Sequence, residues 1–505
     1  MDRMSPLDAS FLHIENDSNH MHIGSVAIFE GPAPDYGDFA DLVTSKLPQV
    51  PRYRQKVRFV PLGIGRPVWV DDTHFNIGYH LRHTALPPPG ADRELRNIVG
   101  RLMAQQLDRT KPLWEMWMVE GLQDGHWAIV SKVHHCMVDG VSGSDLLAVM
   151  LDAEREPARP ESDTWRPEPE PSDAQLVADA ARELVISPYE QFRALRSATR
   201  GWRQLAGLFA DAARGVASMA GLIRPTVESS LNGPIGPHRR WDWARSTLPD
   251  IKRIRRALGG TVNDVVLAAL TRGFRDLIIA RDESPAGRVV RTLVPVSVRL
   301  PDERGVYNNR VSAMFAELPV GISDPAKRLD AIRAQMDNLK QSKQAVAGEV
   351  LTSLSGFAPA LLLDLGTRVA FRIPQRNVNT VTTNVPGPQV PLYACRRQML
   401  EAFPFVPIAG HIRVGVAIFS YNGMMNFGVT GDYDTAADIG VLCRGVEDGM
   451  SEMLKLAGSD ETPTSDEQGD EERNEAGNED GPSEERPAAN QNRREWVFTT
   501  EPAES

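Results

Sequence analysis

The chain has 505 residues, of which 41% are hydrophobic and 24% charged, which exceeds a single hydrophobic core and argues against wholesale disorder. The formal charge of −11 is localised: residues 459–505 hold 15 of the 67 acidic but only 4 of the 56 basic side chains, leaving 52 of each sign in the remainder. That neutral remainder has none of the basic striping that nucleic-acid phosphates require, so a nucleic-acid partner is not expected.

No run reaches the roughly 18 to 20 apolar residues of a membrane span; VVLAAL (265–270) and VGVAIF (414–419) are core-sized. The opening MDRMSPLDASFLHIEN has no apolar stretch of signal-peptide length, so a cytoplasmic location is expected. The three cysteines, Cys136, Cys395 and Cys443, form neither a disulfide framework nor a zinc knuckle and fit a reducing compartment.

In chain order, HIGSVAIF (22–29) and WAIVSKV (127–133) read as buried strands, and 91–108 places Leu95, Ile98, Leu102 and Met103 at helical spacing. After Gly140, SGSDLLAVMLDAE reads as a helix opened by Ser or Asp. Residues 1–156 thus form a first mixed α/β unit. The stretch 157–173 is proline-rich and acidic, an extended linker that leads into a helical pattern over 174–223. Within 188–224 an apolar stripe faces Arg193, Arg196, Arg200, Arg203, Arg214 and Arg224. Such a helix either packs as a linker between domains, the commoner fate, or lies on an anionic membrane surface.

We assign 157–235 to this linker and 236–457 to a second mixed unit. The second unit contains a helix at 261–281, strands at 291–300 and 310–318, and a helix at 324–341. The apolar segment 350–371 follows, then strands at 378–384 and 411–419, a hairpin-like 421–432 and a last helix at 434–456. Residues 458–505 are too polar to fold and are expected to be a disordered acidic tail.

The chemistry is concentrated in KVHHCMVDG (132–140). Imidazole is the side chain whose ordinary pKa, about 6.5, suits proton transfer near neutrality. His134, His135 and Asp139 admit three readings. A metal site is disfavoured because neighbouring residues of an extended segment face opposite ways, and no third ligand stands at useful spacing. A nucleophile at Cys136 is equally poorly placed against an adjacent base. The third reading puts one histidine toward a cavity as general base while the other props the loop, with Asp139-Gly140 turning the chain into the next helix.

HHCMVDG matches the HHxxxDG signature of chloramphenicol acetyltransferase-like enzymes. With MSPLDASFL (4–12), PLWEMWMVEGL (112–122), TVNDVVLAAL (261–270), VPVSVR (294–299) and NVPGP (384–388), the chain resembles the bacterial wax ester synthase/diacylglycerol acyltransferase family over nearly all of 4–456. The resemblance implies an α/β fold of two chloramphenicol acetyltransferase-like mixed-sheet subdomains joined by a helical linker. It also implies His135 as base, His134 as its indispensable neighbour, and Asp139 and Gly140 as shapers of the site. Asn263 and Asp264 match an Asn-Asp motif near the substrate tunnel, and Pro112, Leu113 and Trp114 a Pro-Leu-Trp motif of the acceptor side. Plainer roles stand beside these: Trp114 as core filler, Asp264 as a helix cap, and 353–371 as an ordinary buried helix rather than a tunnel wall.

The implied activity is transfer of a long-chain acyl group from acyl-CoA to diacylglycerol, and to long-chain alcohols giving wax esters. It needs no metal or cofactor, since acyl-CoA is a substrate. Because the product is insoluble, attachment to a membrane or lipid-droplet surface is expected. The rivals are an acyltransferase for a non-lipid or polyketide alcohol and a non-catalytic lipid-binding protein of the same fold.

Overall fold

The computed structural model describes residues 2–137, 149–157, 163–182, 229–297, 311–341 and 378–458. Asp139 and Gly140, the helix expected over 188–224, the segment 353–371 and the acidic tail lie outside the described residues.

The first half contains β1 (Asp2–Arg3), α1 (Pro6–Ile14), β2 (His22–Phe29), α2 (Tyr36–Lys46), β3 (Gln55–Arg58) and β4 (Val68–Asp71). It continues with α3 (Ile77–His80), β5 (Leu81–Ala85), α4 (Asp92–Met103), β6 (Trp114–Glu120) and β7 (Trp127–His134). The second half contains β8 (Arg239–Thr247), α5 (Leu248–Leu258), α6 (Val262–Ala280), β9 (Val290–Ser297), β10 (Val311–Leu318) and α7 (Pro325–Gln341). It ends with β11 (Thr380–Val385), β12 (Tyr393–Ala394), β13 (Arg397–Phe405), β14 (Val414–Tyr421), β15 (Met424–Asp432) and α8 (Ile439–Leu456).

The strands form two six-stranded mixed sheets, ordered β12-β13-β2-β7-β6-β5 and β10-β9-β11-β14-β15-β8, and a small sheet β1-β4-β3. Chain halves and sheets do not coincide. The strand β13, from the second half, pairs antiparallel with β2 of the first, Phe403 opposite Val26. Hydrophobic periodicity identified neither β12 nor β13, because pattern reports that a strand is buried and not against which partner.

Each layer follows from its residues. In α4 the buried Leu95, Ile98, Val99, Leu102 and Met103 recur at helical spacing, and they share one apolar cluster with Trp241 and Trp243 of β8 and Phe403 and Phe405 of β13. This cluster joins the halves. Every residue of β14 is buried, as a central strand covered on both faces requires. Helices α6 and α8 pack against each other through glycine: a Cβ on Gly273 would lie 2.7 Å from the Leu442 carbonyl oxygen, and one on Gly445 2.7 Å from the Gly273 Cα. A methyl at either position would force the helices apart.

Candidate active site

Strand β7 pairs antiparallel with β2 so that His134 stands opposite His22. His134 is the last strand residue, and His135 opens a short 3₁₀ turn, His135–Met137. The change of backbone at this point separates the roles of two adjacent side chains.

His134 is fully buried. Its backbone N–H donates to the Leu113 carbonyl at 2.9 Å, and the Cys136 N–H donates to its Nδ1 at 3.1 Å. An accepting Nδ1 leaves the ring proton on Nε2, which faces Glu15 Oε2 at 3.6 Å. That separation is an electrostatic contact rather than a hydrogen bond. Glu15 is held more firmly by Arg109, whose Nε and Nη2 donate to Oε2 at 3.0 and 2.7 Å. Burial raises the Glu15 pKa, but His134 and Arg109 outweigh it and bring it down to about 2. A carboxylate therefore stands behind His134 at any working pH.

The other carboxylate oxygen, Glu15 Oε1, accepts from the Met21 N–H at 3.3 Å. The Met21 carbonyl in turn accepts from the His135 N–H at 2.8 Å. One glutamate thus anchors both histidines, the first through its ring and the second through its backbone. No sequence rule pairs these residues: Glu15 and Arg109 lie 94 positions apart and outside every motif the sequence singles out. The acidic residue closing the amphipathic MSPLDASFLHI segment was the one local signal.

His135 is only partly exposed, and its Nδ1 is buried with no hydrogen-bond partner. Its ring stacks on Phe11 of α1, centroids 4.0 Å apart. Burial, with a smaller push from His134, lowers its pKa to about 4, so the imidazole is neutral near pH 7 and able to accept a proton. Cys136 is fully buried, its thiol sits 2.9 Å from His134 Nδ1 and not at His135, and burial pushes its pKa well up. That is the opposite of what a thiolate nucleophile needs. Among the described residues no cluster of three or more His, Cys, Asp or Glu could hold a metal ion.

The Pro-Leu-Trp stretch abuts this site from below. Leu113 supplies the carbonyl that holds His134. Trp114 is buried, donates from Nε1 to the Tyr53 carbonyl at 2.8 Å, and stacks between Tyr53 and His80, centroids 4.6 and 4.5 Å away. Pro112 closes the turn, its carbonyl accepting from the Trp114 N–H at 2.9 Å.

Asn263 and Asp264 open α6 and differ in what they do. Asp264 forms a capping box with Thr261, accepting from the Thr261 N–H and hydroxyl at 2.8 Å each, while its own N–H donates to Thr261 Oγ1 at 3.2 Å. Asn263 reaches the NVPGP stretch instead, its Oδ1 accepting from Asn384 Nδ2 at 3.4 Å. Asn384 is the next-to-last residue of β11. Its neighbour Val385 stands in register with Phe419 of β14, and Phe419 lies in the same apolar cluster as Cys136, Met137 and Trp114. Val385, next to this asparagine pair, packs against that same cluster. Gly387 is required there: a Cβ would lie 2.2 Å from the Ser420 carbonyl oxygen.

Solved structures share this arrangement of sheets. The first condensation domain of the calcium-dependent antibiotic synthetase superposes with a TM-score of 0.56 at 15% identity, covering 91% of this chain and 96% of its own. The fold is thus of the two-sheet, chloramphenicol acetyltransferase-like kind. More narrowly, the chain belongs to the wax ester synthase/diacylglycerol acyltransferase family, whose catalytic domain matches residues 4–266 and whose C-terminal domain matches 307–454.

The wax ester synthase/diacylglycerol acyltransferase of Marinobacter aquaeolei superposes with a TM-score of 0.63 at 25% identity, covering 90% of this chain and all of that one. A probable diacylglycerol O-acyltransferase of Mycobacterium tuberculosis, tgs1, is 36% identical over 460 residues, 90% of this chain and 96% of its own. A second M. tuberculosis protein, a putative diacylglycerol O-acyltransferase, is 31% identical over 473 residues, 92% of each chain.

Proposed function

We infer that the protein transfers a long-chain acyl group from acyl-CoA to the free hydroxyl of diacylglycerol, giving triacylglycerol, with fatty alcohols as a second acceptor class giving wax esters. The observation that carries the reading is His135, a neutral and partly exposed imidazole at a strand end whose backbone is fixed by the Glu15–Met21 relay. The names of the relatives supply the acceptor.

A thioester is already activated, so the demand falls on the alcohol. As its oxygen attacks the thioester carbonyl carbon, its proton passes to His135, and the carbonyl π electrons move to oxygen. The tetrahedral intermediate collapses, the C–S bond breaks, and the imidazolium returns the proton to the coenzyme A sulfur. The products are an ester and free coenzyme A, with His135 neutral again. General-base assistance of this kind contributes about 10²–10⁴-fold, and alignment of the two substrates supplies much of the rest. The oxyanion needs a donor, and we assign that part to the side-chain amide of Asn263, whose oxygen is engaged by Asn384. No step calls for a metal or a cofactor. Asp139 and Gly140 keep in this reading the role the resemblance implies, shaping the site.

Such a product forms at a lipid surface, and no helix among the described residues is long and apolar enough to cross a membrane. The attachment we propose is peripheral, to a membrane or lipid droplet, with the arginine-rich sequence 188–224 as one contributor. The test is an acceptor panel with purified protein and long-chain acyl-CoA. Coenzyme A release that depends on diacylglycerol or a fatty alcohol supports the reading. Release that is unaffected by either, or driven only by a non-lipid alcohol, refutes it.

A further inference from the structure

The hairpin joining β3 to β4 ends in Phe59-Val60-Pro61-Leu62-Gly63-Ile64. The Gly63 N–H donates to the Val60 carbonyl at 3.1 Å, closing a four-residue turn with Pro61 and Leu62 at its centre. Leu62 takes φ 61°, ψ 4°, the left-handed conformation that a type II turn demands of its third residue and that glycine or asparagine ordinarily fills. For a leucine this conformation costs about 1–2 kcal/mol. The cost is not recovered by packing, because Leu62 is 88% exposed, and Phe59 beside it is 43% exposed. A strained residue with its apolar side chain in water breaks two local rules at once. Such violations mark positions kept for function.

The base of the hairpin is well anchored. Val60, Val68 and Val70 form an apolar cluster with Leu176 and Ala180. Arg3 Nη1 donates to the Arg66 carbonyl and Arg66 Nη1 to that of Met4, both at 3.1 Å. Residues 55–70 include Lys56, Arg58 and Arg66 and no acidic side chain. Lys56 and Arg58 pair with Glu170, and Arg58 also with Asp173, so local charge is largely balanced and the apolar tip is what the hairpin offers to a surface. The strand β1, paired with β4, leads within three residues into α1, the helix that carries Phe11 onto His135. The hairpin and the helix that touches His135 are thus linked through β1.

We propose that the turn 60–63 is a membrane-docking prong, with Leu62 and Phe59 entering the interfacial layer of a phospholipid membrane and holding the histidine site against it. This rests on the reading of the protein as a lipid acyltransferase. Its test is therefore flotation with phosphatidylcholine/phosphatidylglycerol vesicles in the absence of acyl-CoA, which is independent of turnover.

Burial of one such side chain is worth about tenfold in partition. Leu62→Ser and Phe59→Ser should each lower vesicle partition by roughly that factor, and the loss should persist at high salt, where attachment through arginines is screened. Leu62→Trp should bind at least as well as wild type. Leu62→Asn, which accepts the left-handed conformation, should lose binding while its melting temperature stays level or rises. Turnover with a water-soluble alcohol should stay at the wild-type value in all four variants. Wild-type protein that does not float, serine variants that partition like wild type, or a Leu62→Asn chain that melts earlier would each overturn the proposal.

Discussion

Around the end of β7 the first sheet buries ionisable side chains: those of Glu15, His22, Lys132 and His134 are all but sealed from solvent. The central strands of the second sheet bury Thr292, Thr380, Thr382 and Asn426 instead, neutral groups that bond within the fold, as in the 2.8 Å contact from Thr292 Oγ1 to Thr382 Oγ1. The second sheet does hold buried charge, in Arg239, Arg291 and Asp432, but no buried histidine among the described residues; Arg291 pairs with Glu317 at 2.7 Å. Burying a proton-exchanging group costs stability, whereas a bonded threonine does not. The two sheets have comparable architecture, and among the described residues only the first-sheet half buries histidines. In this comparison the first sheet handles the proton and the second shapes the space around it.

The largest expected effect breaks the comparison at its centre. His135→Ala should lower the rate of acyl transfer by about 10²–10⁴-fold while acyl-CoA affinity, measured by calorimetry, stays within a fewfold of wild type. Equal turnover in the two proteins would remove His135 from the mechanism.

Next, Glu15→Gln should reduce kcat by about 10-fold or more with little change in KM, since misplacement of a base costs rate rather than ground-state binding. The same substitution leaves Arg109 without its carboxylate and should cost about 1–3 kcal/mol of stability, read by denaturant unfolding. Unchanged kcat with that stability loss would make Glu15 a structural residue only.

Acid sensitivity sharpens the contrast further. The four histidines with depressed proton affinity, His20, His22, His80 and His135, all belong to the first-sheet half, and burial is the main cause for each. Below pH 6.5 their unfolded forms bind protons that the folded forms refuse, so stability present above that pH is lost as pH falls toward the folded value of about 4 for His135. The contribution of Glu15, with its folded value of about 2, is lost only below pH 4.5. Unfolding midpoints should therefore decline already between pH 6.5 and 5. A flat midpoint over that range would show that these rings are protonated in the fold.

The smallest effects belong to the second sheet and the tail. Asp264→Ala removes a helix-capping carboxylate and should cost about 1 kcal/mol with little change in the acyl-transfer rate constant. Deleting 459–505 should leave turnover nearly unchanged; failure of the truncated chain to fold would contradict the expectation of a disordered tail.

Much of this was legible in the sequence where periodicity is strong. The strand 22–29 and the helix 261–281 appear as β2 and α6, with boundaries shifted by at most a few residues; the expected strand 411–419 and hairpin 421–432 prove to be one hairpin, β14 and β15, turning at Asn422-Gly423. The histidine pair was legible because HHxxxDG is a local motif. Partnership was not. Nothing in RQMLEAFPF (397–405) announces that it will pair with β2, and Glu15 carries no mark of its service to two histidines more than a hundred positions away. Long-range choices of this kind are made by packing and charge complementarity, which no single segment records. Leu62 was illegible for another reason: its meaning lies in a backbone angle.

The account turns on His135 being a neutral base kept so by burial, and the pH dependence of kcat/KM tests this most directly, because it reports the free enzyme. With a soluble alcohol acceptor and brief assays from pH 8 to pH 4, kcat/KM should stay level to about pH 5 and fall only as the medium approaches His135's value of about 4. A fall centred near pH 6.5, the ordinary value for an exposed imidazole, would contradict it.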